Sequence, residues 1–150
     1  TAVEDLHEGR LAESQLDWLE TILKENSEAG SLLFLHHPLV WNGDQTTEAS
    51  ERLFDILAKS DVISIHSGHL HTTGINHIGK IPQFTIDSLA FGVDHTKDMV
   101  NYTDRNSYNT YAIREQEIFS KTIYVNPNAK VVWTLTNEEN ERYTIEHYGR

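Results

Sequence analysis

Three histidines stand where imidazole chemistry is most useful. His36 follows the apolar run Ser31-Leu32-Leu33-Phe34-Leu35, and His69 and His71 follow a second run, Val62-Ile63-Ser64-Ile65, through the turn Ser67-Gly68-His69-Leu70-His71. A neutral imidazole is a good ligand for Zn, Fe or Mn ions. Two residues apart in an extended segment, His69 and His71 project to the same side and can both face one metal cluster. Gly68 gives the backbone room to turn sharply before them. His36, from the neighbouring strand end, can complete one corner. The plainer reading is that these are loop histidines making ordinary hydrogen bonds. Two apolar runs, each ending in a histidine motif and separated by one helix, favour the metal reading. His66, on the apolar side of its strand end, reads instead as a satisfied buried histidine.

The surrounding pattern supplies the elements that must position these side chains. Leu16, Leu19, Ile22 and Leu23 recur at helical spacing, which predicts an amphipathic helix over residues 13–26. The unbroken run after it predicts a fully buried strand that empties into His36-His37-Pro38. Thr46 or Thr47 can cap a second helix running to Lys59, with Leu53, Phe54, Ile56 and Leu57 as its apolar face. Another buried strand and the Gly-His-x-His turn follow. This is the rhythm of an α/β layered fold with ligands gathered at strand ends. Beyond Thr72 the pattern predicts short strands over residues 81–86, 107–114, 118–125, 131–135 and 142–147, with Asn126-Pro127-Asn128 as a hairpin turn. No repeat or linker divides residues 1–150, so a single domain is expected.

Composition narrows the functions available. The chain has 150 residues, no cysteine and a formal charge of −11, so most of its surface repels a phosphate backbone and nucleic acid is not an expected partner. No apolar run reaches the roughly 18 residues of a membrane span, and Thr1-Ala2-Val3-Glu4-Asp5 lacks the regions of a signal peptide. The chain therefore reads as soluble, with its compartment left open. A first residue of Thr rather than Met suggests that a start methionine, a leader or a larger piece precedes it. Trp18 and Trp133 read as packing residues, while Trp41, three residues beyond His-His-Pro, could shape a substrate pocket. Asp87-Ser88 and Asp94-His95 lack an oxyanion loop or nucleophile elbow and are assigned no chemistry.

Leu33-Phe34-Leu35-His36-His37-Pro38 and Ser67-Gly68-His69-Leu70-His71 resemble the last two metal-binding motifs of the calcineurin-like metallophosphoesterases. The stretch from Gly9-Arg10-Leu11 to Gln15-Leu16-Asp17-Trp18-Leu19 resembles the helix that precedes them there, so the likeness covers residues 9–87. It implies the C-terminal half of a four-layer α/β/β/α sandwich, here with a β-rich ending. By the same resemblance His36 and His69 are ligands of the second metal, His71 is a ligand of the first, and His37 is a neighbour behind the ligands. Two divalent or trivalent ions of Mn, Fe or Zn are implied as cofactors. The activity implied is hydrolysis of a small-molecule phosphomonoester or phosphodiester, and cations of this kind attract phosphate locally even to an acidic protein.

Three earlier motifs of that family, Asp-x-His, Gly-Asp-x-x-Asp and Gly-Asn-His, are not convincingly present. Asp5-Leu6-His7 spells the first but follows no buried strand. Gly43-Asp44-Gln45-Thr46-Thr47 has Thr where the second needs Asp, and Asn76-His77 follows Ile and comes after Gly-His-x-His. Closely spaced cations need anionic ligands between them, so the chain alone is expected to hydrolyse phosphoesters poorly or not at all. An upstream half or a partner chain would supply the carboxylates, and the open edges of a half-sheet raise the prospect of a homo-oligomer. The competing expectation is a non-catalytic metal-binding or interaction fragment.

Overall fold

A computed structural model describes residues 9–48, 51–114 and 117–148; Asp5-Leu6-His7 lies outside these described residues. The first helix, α1 (Glu13–Glu25), buries Leu16 and Leu23, and the Gln15 side chain reaches back to accept the Ala12 N–H at 2.9 Å. The stretch from Gly9 to Arg10, expected to lead into the helix, is instead a short strand, β1.

The sheet that carries the histidines contains β2 (Ser31–Phe34), β6 (Val62–Ser67), β7 (Gly74–Ile78) and β8 (Ile81–Thr85) in the order β2-β6-β8-β7. Strands β2, β6 and β8 run parallel, and β7 returns antiparallel to β8. The second helix, α2 (Glu51–Ala58), joins α1 on one face. Leu16, Leu23, Leu53, Ile56, Leu57, Val62, Ile65 and Ile81 form the aliphatic core there. Each such side chain contributes about 1.5–3 kcal/mol by leaving water.

Side chains alternate across a strand, so the residue after Ile65 points to the other face. There His66 lies between Phe34 and Phe84, at ring-centroid distances of 4.8 and 5.4 Å, with Tyr111 edge-on at 4.4 Å. The expectation that β2 is fully buried is corrected here: Phe34 is 69% exposed. Strand β2 lies at the sheet edge, and the helices cover only one of its faces.

Between β2 and α2 run β3 (Val40–Trp41), β4 (Asp44–Gln45) and β5 (Thr47–Glu48); β3 pairs with β4, and β5 pairs with β1. Thr46 and Thr47 do not cap α2. Their hydroxyls donate to the Pro38 carbonyl at 2.7 and 2.6 Å, and the helix begins later.

The β-rich ending has two parts. Strands β9 (Gly92–His95), β10 (Met99–Thr103) and β13 (Val131–Thr136) form an antiparallel sheet in the order β13-β10-β9, while β11 (Ser107–Arg114) and β12 (Glu117–Tyr124) pair with each other. Residues 126–128 do turn, with Asn126 Oδ1 accepting the Asn128 N–H at 3.2 Å, but the turn joins two sheets rather than a hairpin. The strand expected over 142–147 is helix α3 (Asn137–Tyr148). A capping box decides this: the Thr136 N–H donates to Glu139 Oε2 at 2.8 Å and the Glu139 N–H to Thr136 Oγ1 at 3.1 Å. No helix among the described residues is long and apolar enough to cross a membrane, which says nothing of strands.

Candidate metal centre

Two backbone bonds draw the ends of the neighbouring parallel strands together. The Leu35 N–H donates to the His66 carbonyl at 3.0 Å, and the Gly68 N–H donates to the His36 carbonyl at 2.9 Å. His36 therefore meets the Gly-His-x-His turn directly. The chain after Gly68 is not extended: His69 and His71 have φ of +69° and +51°, in the left-handed region. Such a conformation costs a residue with a β-carbon about 1–2 kcal/mol, and strain of this kind gathers at functional sites. The expectation that His69 and His71 share one side rested on an extended backbone, which this segment does not have. Gly68 has neither a positive φ nor a crowded β position, so its small size is not what makes the turn.

His69 turns toward His36, with Nδ1 of the first 3.3 Å from Nε2 of the second. His37 joins them, its ring 4.9 Å from His36 and 4.1 Å from His69 between centroids. One ligand nitrogen from each of the three lies within 4.8 Å of the others. Nitrogens bound at about 2.0–2.1 Å to one tetrahedral ion stand about 3.4 Å apart, so the His36–His69 spacing fits an ion of that kind. A hydrogen bond between two neutral rings has a similar length, and the third imidazole beside them is what favours a metal. No carboxylate belongs to this cluster among the described residues.

His71 stands outside the trio. Its ring packs on Phe91 at 4.3 Å, and its carbonyl accepts the Val93 N–H at 2.7 Å. Its Nδ1 is buried and has no hydrogen-bond partner among the described residues. Burial holds its pKa below the ordinary histidine value, the Asp87 carboxylate pulls the other way, and a charge on His36 acts in the same sense as burial. The neutral ring that results is the form that binds metal.

Supports that the sequence reading did not identify hold the His36-His37-Pro38 loop. A β-carbon at Gly9 would lie 2.6 Å from His37 Cβ, so only glycine lets this histidine settle where it does. Gln83, fully buried in β8, accepts the Leu39 N–H at 2.7 Å and donates to the Val40 carbonyl at 2.6 Å. An amide between Ile81 and Phe84 on an otherwise apolar strand was the one visible hint of this. Trp41 lies against Gly74, where a β-carbon would come within 2.5 Å of its ring, so it packs on β7. Trp18, read as a packing residue, is 64% exposed on α1. Trp133 lies against Tyr102, with ring centroids 5.4 Å apart. His77 is exposed on β7 and Asp44 is exposed beside the turn at Gly43. His66 is only half satisfied: Ser64 Oγ lies 2.8 Å from Nε2, while Nδ1 is buried with no hydrogen-bond partner among the described residues.

No family model matches the chain. Three curated proteins are similar to part of it. A probable cyclic nucleotide phosphodiesterase of Rhodococcus erythropolis is 35% identical over 98 residues, 59% of this chain and 31% of that protein. A probable glycerophosphodiester phosphodiesterase GpdQ of Arcobacter nitrofigilis is 34% identical over 87 residues, 53% of this chain and 32% of the relative. A cAMP/cGMP dual specificity phosphodiesterase of Mycobacterium tuberculosis is 34% identical over 105 residues, 66% of this chain and 31% of the relative. The chain thus spans about a third of the length of the curated relatives it matches. All three names are those of phosphodiesterases, which supports the resemblance read from the histidine motifs.

Proposed function

We propose that this chain, a relative of the calcineurin-like metallophosphoesterases, carries the histidine part of a two-metal site that hydrolyses small-molecule phosphoesters. The observation that supports this best is the convergence of His36, His37 and His69 at two adjacent parallel strand ends. Phosphodiesters are the favoured substrates, with cyclic nucleotides and glycerophosphodiesters suggested by the relatives' names.

Two ions of Mn, Fe or Zn, when bound, supply Lewis-acid polarisation of the phosphoryl oxygens and a water of lowered pKa. His36 and His69 would hold one ion, with His37 beside them, and His71 would be a ligand of the other. Each contributes a neutral imidazole, and in His71 burial favours that form. The rest of the acidic chain repels phosphate, so attraction of the substrate depends on charge gathered at this one point. The carboxylates that two cations need would come from polypeptide corresponding to the other two-thirds of the relatives, or from a partner chain. The same polypeptide would cover the Phe34–His66–Phe84 face and complete the four-layer sandwich. On this reading residues 1–150 are one portion of a larger domain and hydrolyse poorly alone.

The absence of a carboxylate from the cluster among the described residues favours a second reading, a non-catalytic fragment that binds one metal. Joining the chain to polypeptide from the matching remainder of a relative, adding Mn²⁺ and assaying an aryl phosphodiester tests the first reading. Activity that His69→Ala abolishes supports it, and activity unchanged in that variant contradicts it. Metal analysis of the joined protein separates the two readings, with two ions per chain expected for the enzyme and one for the fragment.

A further inference from the structure

Arg105, between β10 and β11, grips two carboxylates at once. Its Nε and Nη2 donate to Asp87 at 2.7 and 3.2 Å, and its Nη1 and Nη2 donate to Asp94 at 3.1 and 2.8 Å. The Asp87 side chain is 0% exposed. A forked guanidinium matched to two carboxylates fixes direction as well as distance, which a lysine ammonium does not. Gly92 makes room for it, since a β-carbon there would come within 3.0 Å of Arg105 Nε and Nη2.

Asp87 and Asp94 lie on either side of Phe91, the residue that packs on His71, and of Val93, whose N–H bonds the His71 carbonyl. Pinning both aspartates therefore fixes the wall against which His71 rests. That histidine holds a left-handed backbone and a buried Nδ1, so its ring direction depends on what packs around it. We infer that Arg105 is a positioning residue for His71, acting through Asp87 and Asp94 to hold the Phe91–Val93 segment against that histidine. The inference rests on the proposed metal reading of His71 for its consequence, but not for the clamp itself.

The test is a set of metal-free ¹H–¹⁵N imidazole spectra of the full chain in wild type and Arg105→Lys, with His71→Ala used to assign the His71 signals. Arg105→Lys is expected to move the His71 signals and leave those of His36. Unmoved His71 signals, or His36 signals that move as far, overturn the inference. Circular dichroism is expected to match wild type throughout. If Arg105→Lys does not fold, Asp94→Asn removes only the more exposed anchor. It is expected to shift the same His71 signals, and unmoved signals would overturn the inference.

Discussion

The sheet that carries the histidines and the β-rich ending are held together differently. Around β2, β6 and β8 an aliphatic cluster extends from Leu16 to Ile81, buried by two helices. Beyond Asp87 the buried aliphatic side chains among the described residues are Val93 and Val100, while Ile113, Phe119, Val131 and Val132 stay exposed. Order in the second region comes instead from polar contacts, above all Arg105 between Asp87 and Asp94. A rigid hydrophobic half sets the strand ends, and a polar half braces the loops beside them. An isolated two-stranded ribbon such as β11–β12 has little stability of its own.

Core truncation should separate the two regions most sharply. Leu53→Ala is expected to cost about 2–5 kcal/mol, whereas Ile113→Ser on the hairpin should stay within about 0.5 kcal/mol, both by urea unfolding. Similar costs at the two sites would erase the distinction. Gly9→Ala forces a methyl group into His37 and should cost about 1–3 kcal/mol by overpacking. Unlike the core change, it should also weaken metal binding. In the polar region Thr136→Ala removes the cap of α3 and is expected to cost about 1 kcal/mol, seen as lost helical ellipticity with the core transition unmoved.

The pH dependence sharpens the same contrast. Burial lowers the His66 pKa below 6.5, so between its folded and unfolded values the unfolded chain binds more protons. Stability from this group is fully present above the unfolded value and is lost as pH falls through 6.5 toward the folded value. His66→Phe should flatten that part of the curve, and an unchanged slope would show that His66 is not the group responsible. The smallest effect is expected for Gly68→Ala. A β-carbon there comes no closer than 3.9 Å to the His36 carbonyl, and the change should stay within about 0.5 kcal/mol.

Much of the hydrophobic half was legible in the sequence, because Leu32 to Leu35, Val62 to Ile65 and the α1 and α2 stripes have strong periodicities. Strand β11 was legible to its ends for the same reason. Helix α3 was hidden because Tyr143-Thr144-Ile145-Glu146 alternates like a strand, while the Thr136–Glu139 box that starts the helix lies upstream. Strands β7, β9 and β10 escaped because they are short and mixed in polarity. At the site, the strand-end positions of His36 and His69 could be read, but the left-handed backbone at His69 and His71 could not. Nor could the support that Gly9 from another strand gives His37, or the pairing of Arg105 with Asp87, which joins distant parts of the chain.

The central claim is that His36 and His69, with His37 beside them, bind a transition metal, and a calorimetric titration of the full chain with Zn²⁺ tests it most directly. The account predicts a saturable isotherm in wild type that His36→Ala and His69→Ala each weaken strongly, with exposed His95→Ala as an unaffected control. Wild-type binding that survives unchanged in His69→Ala, or no binding at all, would contradict it.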